Sequence, residues 1–295
     1  MDVVHHMSIG GVGFVALAAQ GQELAALGFL VGSVLPDLDV VFMAAGRRFY
    51  LKHHQGPTHS LLLAPFYAAA LAALMAFQIG WIWVLFLGLL AGLVAHILLD
   101  VLNTFGIQLF WPLTKRRFCL DALFFVDTIA WTLTAGFFAV VITRLASPGV
   151  AAIGYAILLV SYGLAKFRLQ RRVKARLNVD FAIPSAWNPF GFFLLVHHKG
   201  RLETSTYNAL TDQVVNVQVI PDSSPAIIRL ARQSPIFRDM ESILRSLNIT
   251  RVQTGPDGTT VVAQDLAVRN FGGRFGRTEL HFDPEGRLRY EMAHI

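Results

Sequence analysis

The sequence predicts an α-helical polytopic membrane domain followed by a small strand-rich (α+β) cytoplasmic domain. Apolar residues make up 54% of the 295 residues and charged residues only 15%, whereas soluble domains carry about 25% charged residues. Residues 60–95 contain no Asp, Glu, Lys or Arg, and this stretch exceeds the roughly 20 residues that one helix needs to cross a bilayer. After Lys166 the chain is rich in all four charged residue types, which indicates contact with water.

The membrane domain is predicted to cover residues 1–176 and to contain four long apolar helices. We expect these helices at 60–78, 81–102, 122–143 and 148–166. A break at Gln78-Ile79-Gly80 separates the first two, and Trp81 and Trp83 after it suit a membrane interface. A Ser-Pro-Gly turn at 147–149 precedes the last helix.

The N-terminal region has a different pattern. Residues 8–19 and 24–36 are apolar, but Gln20, Gln22 and Glu23 lie between them. Each piece is short for a full crossing. We therefore expect a helical hairpin that is inserted against the other helices.

Residues 177–295 are predicted to form the strand-rich domain. Short alternating runs begin near Phe181, and turn signals occur at 255–258 and 283–286 between such runs. These signals are typical of β-hairpins. An amphipathic helix is expected near 234–248.

Basic residues predict the orientation of the chain. Six lie in 166–176, and alternating spans place loops 44–59 and 103–121, which contain six more, on the same face. Arg144 alone lies opposite. The positive-inside rule assigns the basic face to the cytoplasm, so we expect a multi-pass protein of the bacterial inner membrane with a cytoplasmic C-terminal domain. The net charge of +6 then reflects orientation and contact with anionic headgroups, and no direct nucleic-acid binding is expected.

His and Asp residues converge on this same predicted face. They are His5, His6, Asp37, Asp39, His54, His59, His96, Asp100, Asp121 and Asp127. His96 and Asp100 are four residues apart and share one helix face, inside a span where ionisable side chains are costly and therefore mark function. Imidazoles and carboxylates together suit one or two divalent cations. The lone Cys119 excludes a multi-cysteine metal site.

Several of these residues also have ordinary structural explanations. An Asp at a helix end is often a cap, and this applies equally to Asp37 and Asp39. Other residues are expected to be solvated or structural: His5 as an exposed N-terminal residue, His53 as a headgroup neighbour, Asp121 as a partner of Arg116 or Arg117, and His197 and His198 within the tail.

Taken in order, these motifs resemble the membrane-bound, metal-dependent hydrolase family, also described as LexA-binding, inner-membrane-associated hydrolases. The matching positions are Met1-Asp2, His6, Gly10, Pro36-Asp37-Leu38-Asp39, His54 to Ser60, His96, Asp100, Thr104, Gly106, Pro112 and Asp127. The chain departs from the family pattern at Gln55, where Arg is usual, and at Thr128, where Pro is common. With Gln55 in place of that Arg, the chain lacks this side chain as a phosphate or headgroup clamp.

The resemblance implies a metal-dependent hydrolase with a defined set of ligands. The implied ligands are His6, Asp37, Asp39, His54, His59, His96 and Asp100. Asp127 is implied as a ligand, a partner that orients a ligand His, or the general base, and Asp39 as a second catalytic candidate. We expect zinc first, with manganese or magnesium as alternatives. A Ser60 or Thr58 nucleophile is a less simple alternative to metal-activated water.

The motif set is also distantly similar to that of zinc-dependent phospholipase C and single-strand nucleases, which points to phosphoester chemistry. A site at the membrane interface would admit a membrane lipid or a lipid-linked phosphate as substrate. Two rival functions remain open at the level of sequence. Intramembrane His and Asp also occur in transporters, and a non-catalytic adaptor could hold a structural metal while its tail domain binds a protein partner.

Overall fold

The computed structural model describes residues 2–79, 83–271 and 276–294. Of the predicted break at 78–80, Gln78 and Ile79 still belong to a helix, and Gly80 lies outside the described residues, as does Trp81 after it. The architecture agrees with the predicted class: a helical N-terminal region is followed by a C-terminal domain of two antiparallel sheets.

Within residues 2–79 and 83–177, the structure describes seven α-helices. They are α1 Val3–Ala18, α2 Glu23–Val34, α3 Arg47–His53, α4 Ala64–Ile79, α5 Trp83–Leu102, α6 Thr128–Ile142 and α7 Pro148–Leu177. A 3-10 segment, Leu35–Ala45, continues from α2, and a short 3-10 turn covers Pro57–His59.

Among the residues that the structure describes, three segments are long and apolar enough to cross a membrane. They are Glu23–Ala45, Trp83–Leu102 and Pro148–Leu177. A fourth candidate is a broken pair, Arg47–His59 with Ala64–Met75, which bends by 87°. The second N-terminal helix is thus longer than the hairpin arm predicted at 24–36, because the 3-10 segment extends it to Ala45.

The predicted helix at 122–143 is wrong at its start. Helix α6 begins only at Thr128, after Asp127 has taken an extended backbone conformation as its N-cap. Before it, the N–H groups of Ala122 and Leu123 both donate to the carbonyl oxygen of Leu102. This segment is therefore tied to the end of α5 and cannot make helical hydrogen bonds of its own.

In its described residues, the C-terminal domain contains two four-stranded antiparallel sheets. The first has the order β1 Phe181–Pro184, β2 Gly191–His198, β3 Arg201–Asn208 and β4 Gln213–Pro221. The second has the order β5 Leu247–Gly255, β6 Gly258–Asp265, β7 Arg277–Phe282 and β8 Leu288–His294. Both predicted hairpin turns are confirmed, since they join β5 to β6 and β7 to β8.

Two short helices, α8 Pro225–Ala231 and α9 Pro235–Ile243, lie between the sheets in the chain. The helix predicted at 234–248 is too long at its C-terminal end. Ser234 caps its start, and Leu244 is already extended. From Leu247 onward the chain pairs with β6, so sheet hydrogen bonds replace a further helical turn.

The chain divides into two compact units, and the division is not simply sequential. One unit contains residues up to Gly46 and His53–Leu169, and the other contains Gln170–Ile295 together with Arg47–Lys52. Most of α3 thus packs with the tail. Its Leu51 lies in an apolar cluster with tail residues, and Arg48 Nε donates to Asp239 Oδ2 at 2.7 Å.

Helices α2 and α5 approach each other closely at glycines. A Cβ atom on Gly28 would lie 2.7 Å from the carbonyl oxygen of Leu85, and one on Gly92 would lie 2.8 Å from the backbone N of Ser33. Gly32 and Gly88 are equally crowded by the backbone of the facing helix. Such small residues let membrane helices pack backbone against backbone.

We predict that Gly92→Ala destabilises the helical unit. The added methyl group meets backbone atoms that cannot rotate away, and overpacking of this kind costs about 1–3 kcal/mol. Thermal unfolding in detergent measures the effect. Gly136→Ala in α6 is the matched control, since a Cβ there meets nothing within 4 Å. Equal melting temperatures for the two variants would contradict the close α2–α5 contact.

Candidate metal centre

Four buried side chains bring ligand atoms together in the helical unit. Asp37 comes from the 3-10 segment after α2, His59 from the turn before α4, and His96 and Asp100 from α5. One ligand atom from each lies within 4.8 Å of the others. We call these four residues the metal cluster.

The distances within the metal cluster fit a single cation. His59 Nε2 lies 3.2 Å from His96 Nε2 and 3.2 Å from Asp100 Oδ2. His96 Nε2 lies 3.4 Å from the same Asp100 oxygen, and Asp37 Oδ1 lies 3.7 Å from His59 Nε2 and 3.6 Å from His96 Nε2. Tetrahedral ligands at about 2.0–2.1 Å from zinc are about 3.3 Å apart. The four side chains can therefore hold one ion with little movement.

Asp37 has a buried carboxylate oxygen that a bound cation would stabilise. Its Oδ2 atom is buried and, within the part of the chain that the structure describes, accepts no hydrogen bond. A buried carboxylate oxygen without a partner is costly and needs an explanation. A cation bound at the metal cluster would supply one.

Hydrogen bonds fix both imidazoles with Nε2 toward the centre. His96 Nδ1 lies 2.8 Å from the carbonyl oxygen of Ser33, and because a carbonyl only accepts, Nδ1 must carry the hydrogen. His59 Nδ1 lies 3.0 Å from Thr58 Oγ1, which itself donates to Asp39 Oδ2 at 3.3 Å. Each Nε2 then presents its lone pair, which is how outer hydrogen bonds prepare a metal ligand.

His6 lies directly beside the metal cluster. Its ring stacks on that of His96 with centroids 3.7 Å apart, and its Nε2 is 3.1 Å from Asp100 Oδ1. Asp100 thus faces His6 with one oxygen and the two cluster histidines with the other. This arrangement would let Asp100 bridge two cations or let His6 hold the Asp100 carboxylate in place.

The predicted ligands Asp39 and His54 form a neighbouring pair outside the metal cluster. Asp39 Oδ1 lies 2.9 Å from His54 Nδ1, and its Oδ2 accepts from the backbone N–H of Gln55 at 2.9 Å. Gln55 adopts a φ of 53°, and this left-handed turn directs its N–H toward Asp39. The pair contacts the metal cluster through Thr58 and His59.

Arg117 supports the His54 turn, a role that the sequence did not suggest. There, Arg117 served to predict orientation and was one of two expected partners of Asp121. Its guanidinium donates to the carbonyl oxygens of His54 at 2.8 Å and Gly106 at 2.9 Å. Burial lowers the pKa of Arg117 to about 10, while the charge of Asp39 acts in the opposite direction. A basic residue that returns to a loop backbone has no short sequence signal.

Asp127 lies apart from the metal cluster. Its Oδ1 caps α6 by accepting from the N–H groups of Ile129 and Ala130 at 3.1 and 3.0 Å, and the Tyr162 hydroxyl donates to both carboxylate oxygens at 3.0 Å. These contacts are those of a helix N-cap. A catalytic or ligand role for Asp127 stays a prediction.

The expectation of an exposed His5 is wrong. Its side chain is fully buried, its Nε2 lies 3.3 Å from Thr134 Oγ1, and its ring stacks on Trp131. Asp2 caps α1, and its backbone N–H donates to the Phe125 carbonyl oxygen at 3.0 Å. The start of α1 is thus tied to the segment that leads into α6, the helix that carries Trp131 and Thr134. In the tail, His197 is exposed and pairs with Asp180 at 3.0 Å.

We predict that Thr58→Val weakens metal binding without unfolding the protein. The valine keeps the shape but removes the acceptor of His59 Nδ1–H, and loss of such a supporting group costs about 10–100-fold in metal affinity. Chelator competition with zinc and manganese measures the affinity.

Thr58→Ser keeps the hydroxyl and should restore tight binding. Thr132→Val is the control, because the Thr132 hydroxyl donates to the Thr128 carbonyl of its own helix and Thr132 is not part of the metal cluster. Unchanged affinity in Thr58→Val would show that this hydrogen bond does not orient His59.

Known proteins resemble the part of the chain that holds this centre. The model of the YdjM inner membrane protein family matches residues 1–171. A protein of Bacillus subtilis (strain 168), named Uncharacterized protein YfhP, is 27% identical over 156 residues. That alignment covers 50% of this chain and 46% of the relative, so the chain spans less than half of that protein's length. No solved structure matches the chain.

Proposed function

The chain belongs to the YdjM inner membrane protein family, and from this premise we propose that it is a metal-dependent hydrolase that cleaves a lipid phosphoester. Its site would lie at the cytoplasmic face of a bacterial inner membrane, in a multi-pass protein with a cytoplasmic C-terminal domain. The observation that carries the proposal is the metal cluster, whose four ligand atoms all lie within 4.8 Å of one another. The matched residues 1–171 contain the whole cluster.

The proposed resident ion is divalent, with zinc first and manganese or magnesium as alternatives. Two imidazoles favour zinc or another transition metal, and two carboxylates also suit harder ions. When bound, such an ion polarises a phosphoryl oxygen and lowers the pKa of water. This ion would be held by the metal cluster, which comprises His59, His96, Asp37 and Asp100. A second ion would bind His6 and Asp100 Oδ1, the carboxylate oxygen that faces His6.

His54 and Asp39 are proposed to move protons during hydrolysis. Asp39 accepts from His54 Nδ1–H at 2.9 Å, and a carboxylate at this nitrogen orients the ring and stabilises its protonated form. The side chain of His54 is partly exposed, unlike that of His59. It is therefore better placed than the cluster histidines to give a proton to a leaving alcohol.

An apolar cavity beside this pair favours a lipid over a water-soluble phosphoester. The cavity has a volume of about 230 Å³ and includes Asp39 and Thr58 in its lining. The remaining lining side chains are almost entirely apolar: Leu35, Pro36, Leu38, Val41, Phe42, Tyr67 and Leu93. Cavities of this kind bind through apolar burial with a few polar groups for orientation. An acyl or isoprenoid chain would fit it, with its phosphate toward His54.

The first test measures bound metal and hydrolysis together. We expect purified protein in detergent to contain about one or two equivalents of a divalent metal by elemental analysis. It should hydrolyse a lipid phosphoester in a chelator-sensitive manner. The double variant His96→Ala and Asp100→Ala should lose both the metal and the activity.

His197→Ala is the matched control, since His197 is an exposed tail residue outside the metal cluster. Metal loss in this control would point to nonspecific damage. A folded wild-type protein that binds no zinc, manganese or magnesium would overturn the proposal. Bound metal without hydrolysis of any phosphoester would favour the adaptor, and substrate flux in vesicles would favour the transporter.

The cavity leads to a second prediction, which concerns the length of the acyl chain of the substrate. Val41→Lys places a charge in the apolar lining at an exposed position. We expect it to raise KM for long-chain phospholipids at least about tenfold, because an acyl chain that enters the cavity would have to desolvate the ammonium. Hydrolysis of a short, water-soluble phosphoester should change little.

Val40→Lys is a close control, since Val40 is also exposed in the same segment but does not line the cavity. Both variants add the same charge at nearly the same membrane depth. If both lose long-chain activity equally, the defect lies in membrane insertion and the cavity has no part in substrate binding.

A further inference from the structure

Two loops at one end of the first tail sheet carry exposed apolar side chains. Residues 185–190 join β1 to β2, and residues 209–212 join β3 to β4. Because the strands are antiparallel, both loops lie at the same end, and the backbone N–H of Ala209 donates to the Phe190 carbonyl at 2.8 Å. We call these two loops the loop tip.

The exposure of the loop tip is unusual for a water-facing surface. The exposed fraction is 74% for Trp187, 71% for Leu210 and 41% for Phe190. Val214 and Val215 at the start of β4 extend the same apolar end. A contiguous apolar patch of large side chains marks an interaction site.

The loop tip belongs to a sheet that is bonded to the last turns of α7. Gln170 Nε2 donates to the Ala182 carbonyl at 3.3 Å, so β1 turns back beside the helix that precedes it. Arg176 also donates to Asp212, a residue of the loop tip. Helix α7 is itself one of the segments long and apolar enough to cross a membrane.

The end of α7 has the charge that a lipid headgroup surface would attract. Arg171, Arg172, Lys174 and Arg176 are all exposed within two turns. Each basic residue near an anionic surface contributes about 1 kcal/mol to membrane attraction. Trp and Phe beside such a basic cluster suit the boundary between headgroups and acyl chains.

We propose that the loop tip inserts into the lipid interface beside the membrane exit of α7. The occupant of this apolar surface is therefore the bilayer in which the helical unit lies. A second copy of the chain is a poorer occupant, because symmetric pairing through the loop tip would bring two basic ends of α7 together. Membrane insertion would hold the tail domain at the lipid surface, independently of whether the metal cluster hydrolyses anything.

The test places a fluorophore at position 187 in the full chain. Cys119→Ser removes the only cysteine, and Trp187→Cys allows attachment of an environment-sensitive dye. The protein is reconstituted in vesicles of phosphatidylethanolamine and phosphatidylglycerol that contain a nitroxide-labelled lipid. Since interfacial side chains enter about 5–10 Å, we expect quenching at 187 to be at least about threefold stronger than at a solvent-exposed position.

Lys199→Cys is the matched comparison, because Lys199 is exposed in the β2–β3 turn at the opposite end of the same sheet. Leu210→Cys repeats the measurement in the other loop, in case the change at Trp187 impairs folding. Equal lipid quenching at 187, 210 and 199 would overturn the proposal. So would a dye at 187 that is shielded from aqueous iodide but not quenched by lipid, since this result indicates a protein partner.

Discussion

The close contact between α2 and α5 is the constraint on which the rest of the helical unit depends. Glycines at the crossing allow the two backbones to touch, since any Cβ at Gly28 or Gly92 would overlap the facing chain. The contact determines the positions of the metal-cluster residues on α5 as well as the packing of the two helices. Helix α5 carries His96 and Asp100, and the end of α2 supplies the Ser33 carbonyl that orients His96. A shift of this crossing would therefore move ligands and their supports together.

The metal cluster concentrates polar groups in a part of the chain that is otherwise apolar. Burial of carboxylates and imidazoles without compensation is strongly unfavourable, and several of these groups satisfy one another. His6 contacts Asp100, Thr58 joins His59 to Asp39, and Asp39 holds His54. Asp37 keeps one buried oxygen that no described residue satisfies. A cation bound at the metal cluster would compensate this carboxylate oxygen.

The tail unit includes a piece of chain that interrupts the site motifs. Arg47–Lys52 lies between Asp39 and His54 in the sequence, yet it packs among tail residues through Leu51 and the Arg48–Asp239 ion pair. Both flanks of α3 therefore lead directly into residues of the candidate site.

Much of the site could be predicted from residue types and spacing. Asp37, His59, His96 and Asp100 were all candidates, because ionisable residues in apolar segments are rare and because i, i+4 residues share a helix face. Residue types and spacing could not predict which candidates lie in the metal cluster and which lie beside it. Asp39 and Asp37 are two residues apart, and only the turn at Leu35–Ala45 decides that Asp37 faces His59 and His96 while Asp39 faces His54.

By itself, the sequence determined the class of fold, the apolar helices and both predicted hairpins, because hydrophobic periodicity and turn residues are local signals. It also determined which residue types could ligate a metal. Only the tertiary structure decided that His5 is buried, that Arg117 supports the His54 loop and that α3 joins the tail. Each of these depends on contacts between residues far apart in the chain, and such contacts are selected by packing and by the need to satisfy buried polar groups, which no short stretch of sequence records.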